Sequence, residues 1–229
     1  MKLAIMQPYF FPYLGYFQLI HAVDAFVVYD DVNFIKGGWI NRNYILTQGE
    51  KTRITLQLLG ASPNLPINQI PVGENRGKLL KTLQQSYARA PFYPEVFPLL
   101  EEILGFEEPN LAVFLDFGLR RICDYLNLRP RWHLSSDLQK DNSLRGQDKV
   151  LAICKELGAE RYVNVPGGRD LYDRASFEAA GIRLSFIEPG AIKYRQSGDE
   201  FMPYLSAIDV LMHNNQEQCQ SLLEEYRLV

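Results

Sequence analysis

Leu3-Ala4-Ile5-Met6 is a short apolar run that breaks into Gln7-Pro8-Tyr9-Phe10-Phe11-Pro12-Tyr13-Leu14-Gly15-Tyr16, and a second apolar run ends in Tyr29-Asp30-Asp31-Val32-Asn33-Phe34-Ile35-Lys36. Apolar runs of about four to eight residues bounded by proline or charge are the pattern of buried parallel strands. The residues between them are enough for a crossover helix. The stretch reads as strand, loop, helix and second strand, which makes the fold class α/β. In open α/β sheets ligands sit at the carboxyl ends of the strands, where this reading places Gln7, Tyr9, Asp30 and Asp31.

Further along, strand-like stretches around Tyr44 to Leu46 and Arg53 to Leu59, separated by Gln48-Gly49-Glu50-Lys51, carry a hairpin signal. The proline- and asparagine-rich passage from Ser62 to Pro71 is too irregular for a helix. From about residue 77 to 127 apolar residues recur at three- and four-residue steps (Leu79, Leu80, Leu83, Tyr87; Val113, Phe114, Phe117). This predicts three helices interrupted at Pro91, Pro94 and Pro109, as a helical insertion or subdomain of a single α/β domain spanning 1–229. Alternation then returns: a strand at Arg131 to Leu134, a helix from Gly146 to Leu157, a strand at Arg161 to Val165, a helix starting near Leu171 with a stop at Gly181, a strand at Arg183 to Ile187, and a final helix within Asp209 to Val229.

With 229 residues, 47% of them hydrophobic, the chain has ample material for a full core. Cys123, Cys154 and Cys219 follow no ligand spacing and read as reduced core or near-surface thiols, so folding needs neither disulfide nor metal. The N-terminus lacks the apolar core of a secretion signal, and no run approaches the roughly 20 apolar residues that span a bilayer. These features predict a cytoplasmic protein without membrane insertion. A formal net charge of −3 with mixed signs leaves no broad footprint for DNA, although two or three local cations suffice for a nucleotide diphosphate. The 13 tyrosines supply flat faces with polar tips, suited to sugar and base rings.

Asp30-Asp31 at a strand end reads as an acid and base pair, a ligand hold, or a polar strand terminus; adjacent strand side chains point to opposite faces, so at most one faces a site. No further carboxylate or histidine stands near enough in sequence for a metal site. Asn33 to Asn43 gathers three Asn, Lys36, Trp39 and Arg42 around Gly37-Gly38. That is more hydrogen-bonding and stacking capacity than a plain connection uses, so Asn33, Lys36, Trp39, Asn41, Arg42 and Asn43 are candidate ligand contacts. Asp141 to Lys149 precedes a helix, with Asn142 or Ser143 as the cap, while Asn142, Ser143, Arg145, Gln147 and Asp148 also fit an anion site at a helix N-terminus. Asn164, Gly167 and Gly168 follow a strand without the spacing of a known phosphate loop. His21, His133 and His213 are scattered, and His213 draws interest because Asn214-Asn215 follow it.

Met6 to Phe17, Tyr29 to Phe34 with Trp39 to Asn43, and Asp141 to Asp148 closely resemble the WbqC-like family of bacteria, and the similarity runs from the first strand to the end of the chain. Gly37 departs from that family, which commonly has a basic residue there. The resemblance implies work on a surface-polysaccharide or O-antigen precursor. A fold-level resemblance to nucleotidylyltransferase-like and pantothenate-synthetase-like enzymes implies a Rossmann-like, mainly parallel sheet. Where those enzymes carry His-x-Gly-His this chain reads Tyr13-Leu14-Gly15-Tyr16, which keeps Gly15 and lacks both histidines, so ordinary adenylyl transfer is not expected.

The leading expectation is a cytoplasmic transferase that moves an aminoacyl or acyl group onto a nucleotide-linked (amino) sugar, with aminoacyl-tRNA or acyl-CoA as donor and no cofactor specified. Asp30 or Asp31 would be the general base. Gln7, Tyr9, Tyr13, Asn41 and Arg42 would orient sugar or donor, and Lys36 and Arg145 would hold phosphate. The competing expectations are a non-catalytic sugar-nucleotide-binding partner protein and an ATP-dependent amide ligase.

Overall fold

β1 (Lys2–Met6), α1 (Leu14–His21) and β2 (Ala25–Val28) are the predicted strand, helix and strand, and β1 pairs in parallel with β2 from Leu3 opposite Ala25 to Met6 opposite Val28. The computed structural model describes residues 1–198 and 200–229. Both strands are buried on both faces, which is why they read as continuous rather than alternating apolar runs. Leu3, Ile5, Ala25 and Val27 face one core, and Ala4, Phe26 and Val28 face the other.

A hairpin follows, β3 (Arg42–Thr47) and β4 (Glu50–Thr55), with Thr47 opposite Glu50. Its turn residues Gln48 and Gly49 have φ of 52° and 80°, the left-handed pair of a type I′ turn, where a glycine relieves the clash that a Cβ would cause. Then come α2 (Arg76–Tyr87), α3 (Tyr93–Gly105) and α4 (Leu111–Tyr125), whose buried faces join the core of α1 and the strand residues Phe26 and Val28. Pro94 does not separate helices as expected: it lies in the first turn of α3, where its missing N–H costs nothing.

β5 (Arg131–Leu134), α5 (Gly146–Glu156), β6 (Arg161–Asn164), α6 (Arg174–Ala179) and β7 (Arg183–Pro189) complete the alternation. The strands form one sheet in the order β5-β2-β1-β6-β7, all parallel, and β8 (Tyr226–Leu228) adds an antiparallel edge on β7. The chain leaves β1 toward β2 and β5, then returns through α5 to β6 on the other side of β1. That reversal, with α1 packed in one core and α5 in the other, is a topological switch point between β1 and β6. The architecture is thus α/β with a mostly parallel central sheet, consistent with a Rossmann-like fold.

One helix expectation needs correction. Residues 166–171 form a 3-10 turn and α6 starts at Arg174, because Asp173 is the cap: its carboxylate accepts from the Ser176 amide at 3.0 Å. The C-terminal stretch is α7 (Ala207–His213), α8 (Gln216–Glu224) and β8, with α8 as the final helix expected within 209–229. Asn215 separates α8 from α7 by building a reciprocal cap with Gln218, at 2.9 and 2.8 Å. None of the described helices is long and apolar enough to cross a membrane. All three cysteines are free and buried, Cys219 included, and burial pushes the Cys154 and Cys219 thiols up to about 12.

Candidate functional site

At the carboxyl edge of the sheet, on the side of the switch point that carries α1, lies a cleft of about 920 Å³. The segments leaving β1 (Tyr9 to Gly15), β6 (Pro166) and β7 (Pro189 to Tyr194) form its floor and walls, with the hairpin and the 201–205 segment around them. Six aromatic rings line it: Tyr9, Tyr13, Trp39, Tyr194, Phe201 and Tyr204. Trp39 and Tyr204 are 46% and 78% exposed, unusual for such large rings, and Tyr204 holds a left-handed φ of 57° that a non-glycine residue adopts at a cost. Lys51 and Lys193 supply cations on the same lining. The phenols of Tyr9 and Tyr13 are raised by burial first and by a neighbouring phenol second, so they are neutral hydrogen-bonding and stacking groups and not bases.

The sequence accounts for this shape locally. The Tyr13 ring lies directly over Gly15, where a Cβ would come within 2.3 Å of it, so glycine there is what lets the ring face the cleft. Phe11 is held at a left-handed φ of 45° while buried, and two side chains hold its carbonyl. Asn43 Nδ2 donates to the Phe11 carbonyl at 2.6 Å and Ser206 Oγ donates to the same oxygen at 2.8 Å. Asn43 also donates to the Phe10 carbonyl and accepts from the Tyr44 amide, at 3.3 and 2.8 Å. Asn43→Ala therefore leaves buried backbone groups without partners, and a loss of about 2–3 kcal/mol is expected, read as a lower urea midpoint at unchanged slope.

Of the residues singled out in the sequence, Tyr9, Tyr13, Gly15, Trp39 and Asn43 meet in the cleft. Asp30 and Asp31 do not line it. Both lie beyond β2, which ends at Val28, so strand alternation does not govern them. The Asp30 carboxylate accepts from Asn68 Nδ2 at 3.1 Å and from the Ser136 amide at 2.9 Å, bracing the loops beyond β2 and β5. Asp31 Oδ2 lies 3.0 Å from both Lys140 Nζ and Lys149 Nζ, and Lys149 also donates to the Asp31 carbonyl at 3.0 Å. Burial alone would raise the Asp31 carboxyl, but Ser135 and the two lysines outweigh it and hold the group below its ordinary range. A carboxylate so held is a poor proton acceptor at neutral pH.

The remaining candidates are occupied by local structure or stand in solvent. Arg42 Nε donates to the Gly38 carbonyl at 3.0 Å, Asn41 Nδ2 to the Leu56 carbonyl at 2.9 Å, and Gln7 offers its own carbonyl to the Tyr16 hydroxyl at 2.8 Å. Asn33 and Lys36 are exposed. Before α5, Asp141 and not Asn142 or Ser143 organises the turn: its Oδ1 accepts from the Ser143 amide and hydroxyl at 2.8 and 2.7 Å, and the cap position falls on Arg145, whose side chain folds back on the Asn142 and Leu144 carbonyls. Asn142, Ser143, Arg145 and Asp148 are exposed, and Gln147 Oε1 accepts from the Asp173 amide at 2.5 Å. Asn164 accepts from the Val165 amide at 2.7 Å with Gly168 buried beside it and Gly167 in solvent.

Lys51, on strand β4, and Lys193, Tyr194, Phe201 and Tyr204 escaped the sequence reading, the last four because the described residues of the 190–206 segment are neither helix nor strand and show no periodicity. Its density of aromatic residues after Pro189-Gly190, at the end of a strand, was the available signal. Among the described residues no three His, Cys, Asp or Glu side chains converge as metal ligands would.

The WbqC-like protein family model matches residues 7–221 of the chain. The uncharacterized protein Rv1507c of Mycobacterium tuberculosis (strain ATCC 25618 / H37Rv) is 31% identical over 218 residues, 93% of this chain and 93% of that protein. No solved structure matches the chain.

Proposed function

We propose that this chain, which belongs to the WbqC-like protein family, binds a nucleotide-linked amino sugar in the switch-point cleft and transfers an aminoacyl or acyl group onto it. One observation carries the reading: a cavity of about 920 Å³ walled by six aromatic rings, two of them exposed at its mouth, with two lysines on the lining. Such a volume is within the range of small-molecule sites, and flat rings with polar tips stack on sugar and base faces. Lys51 and Lys193 suit the diphosphate as point charges. The position agrees with where open α/β sheets bind nucleotides. The nucleotidylyltransferase-like form of the sheet and a cytoplasmic place in surface-polysaccharide synthesis belong to the same proposal, with aminoacyl-tRNA or acyl-CoA as donor.

A second reading, a sugar-nucleotide-binding protein without turnover, is favoured by a specific feature: the described lining of the cleft contains no carboxylate and no imidazole. Thermal shift followed by turnover separates the two. An amino-sugar nucleotide raises the melting temperature of the wild-type protein, because a ligand of the native state stabilises it by mass action. Trp39→Ala weakens that binding about tenfold, the loss of one stacked face worth roughly 1–2 kcal/mol. A wild-type protein whose melting is unmoved by every nucleotide-linked sugar overturns the proposal; binding without transfer from acyl thioester or aminoacyl ester donors selects the second reading.

A further inference from the structure

One group of reactive side chains lies outside the lining of the cleft and next to it. Ser197, exposed on the segment after β7, has its Oγ 2.7 Å from Nε2 of His213, the last residue of α7. The other ring nitrogen, Nδ1, lies 2.8 Å from the Asp209 carbonyl oxygen one turn earlier. A carbonyl can only accept, so Nδ1 carries the proton and Nε2 presents its lone pair to the serine hydroxyl. That is the tautomer a general base for a serine nucleophile needs. The Asp209 carboxylate is wholly buried, with Oδ1 3.8 Å from the same Nδ1. Three donors hold it in place: Tyr87 Oη at 3.0 Å, Tyr194 Oη at 2.8 Å and Gln196 Nε2 at 2.9 Å.

The constellation shares its walls with the cleft. Tyr194, three residues before Ser197, and Val210, three residues before His213, both line it, as does Lys51 of the hairpin whose turn stands beside Gly198, where a Cβ would come within 3.7 Å of the Gly49 Cα. Tying a loop to a helix would need only one hydrogen bond; it would not need the imidazole to be locked in one tautomer above a buried carboxylate with its free lone pair on an exposed hydroxyl.

We propose that Ser197 is an acyl-accepting nucleophile, activated by His213, that takes an acyl or aminoacyl group from an ester or thioester donor and hands it to the acceptor bound in the cleft. The assignment rests on the acyl-transfer reading of that cleft. In the first half, Ser197 Oγ bonds to the donor's carbonyl carbon as Nε2 takes the hydroxyl proton, the bond from that carbon to the alkoxide or thiolate breaks, and the leaving group departs with the proton from His213. In the second half, the acceptor amine or hydroxyl bonds to the same carbon, its proton passes to Nε2, and the bond to Oγ breaks as the serine regains its proton. No oxidant, reductant or further reactant is consumed.

The test is covalent labelling of the full-length protein with a fluorophosphonate, which forms an Oγ–P bond with expulsion of fluoride, read by intact mass and peptide mapping. One adduct on Ser197 is expected. Ser197→Ala abolishes it, and His213→Gln, checked to be folded by its melting temperature, slows it at least about a hundredfold, in line with removal of a general base. Failure of the folded wild-type protein to label, or labelling that survives Ser197→Ala, overturns the proposal. The same wild-type sample is also melted with and without an amino-sugar nucleotide. A protein that binds the sugar and takes no label loses the serine assignment alone. One that labels at Ser197 and binds no nucleotide-linked sugar loses the cleft reading and keeps its nucleophile.

Discussion

Asp31→Asn lowers the stability of the protein by about 3–5 kcal/mol at neutral pH, because it removes the carboxylate that, among the described residues, alone lies within ion-pair distance of two ammonium groups that have almost no water. The side chains of Lys140 and Lys149 are 1% and 4% exposed, and Asp31 bridges both at 3.0 Å. An amide in its place cannot repay their desolvation. For a chain of this length the loss moves the melting temperature down by about 10 °C. The effect has a pH signature. The Asp31 carboxyl sits below its ordinary value of 3.8 in the folded protein, so its stabilisation is complete above that value and drains away as pH falls through the lower, folded one. Urea midpoints of wild type and Asp31→Asn accordingly lie far apart at pH 7 and converge in strong acid. A gap that stays constant with pH would show that the lost stability has another source. Replacing all three together, Asp31→Leu with Lys140→Met and Lys149→Met, recovers much of the loss, since a buried ion cluster is costly to break but not costly to omit.

The same cluster shows where sequence reading succeeds and where it stops. The strand ending in Asp30-Asp31 was legible because an apolar run closed by charge has one common explanation, and the carboxyl-end position followed from the α/β class. What each carboxylate does was not legible. Lys140 and Lys149 lie more than a hundred residues from Asp31, and Asn68 and Ser136 reach Asp30 from two other loops. Only the closed sheet, with β5 beside β2 and α5 beneath them, brings those partners in.

The cleft divides in the same way. Tyr9, Tyr13, Gly15, Trp39 and Asn43 were found because local sequence already marks them: a proline-bounded aromatic loop after a strand, and a loop too rich in hydrogen-bonding groups for a plain connection. Lys193, Tyr194, Phe201 and Tyr204 were not, since an irregular segment carries no period, and its path is set by distant anchors such as Ser206, whose amide bonds the Tyr44 carbonyl at 2.8 Å. The final helix within the last twenty residues was legible, while its start was set by the cap at Asn215, a local signal that the apolar pattern does not carry.

Asp209→Ala is expected to cost about 3–5 kcal/mol and to weaken ligand binding in the cleft at the same time. The carboxylate is fully buried and accepts from Tyr87, Tyr194 and Gln196, so its removal strands the two phenol donors and takes one of the acceptors of Gln196. These donors come from α2 and from the 190–206 segment, and Gln196 in turn holds the Met202 amide at 2.7 Å and its carbonyl at 3.0 Å. Losing the centre of that network frees the wall that carries Tyr194, Phe201 and Tyr204. Both phenols, raised by burial first and by Asp209 second, stay protonated as donors across the accessible pH range, so the penalty persists from mild acid to mild base. Tyr87→Phe alone removes one donor and costs about 1 kcal/mol. Combined with Asp209→Ala it costs less than the sum, because the phenol that would have been stranded is gone. Urea denaturation of the four proteins in that cycle, with the melting shift given by an amino-sugar nucleotide, checks both parts. Strict additivity, or a full-sized ligand shift in Asp209→Ala, would mean that the buried carboxylate does not hold the wall of the cleft.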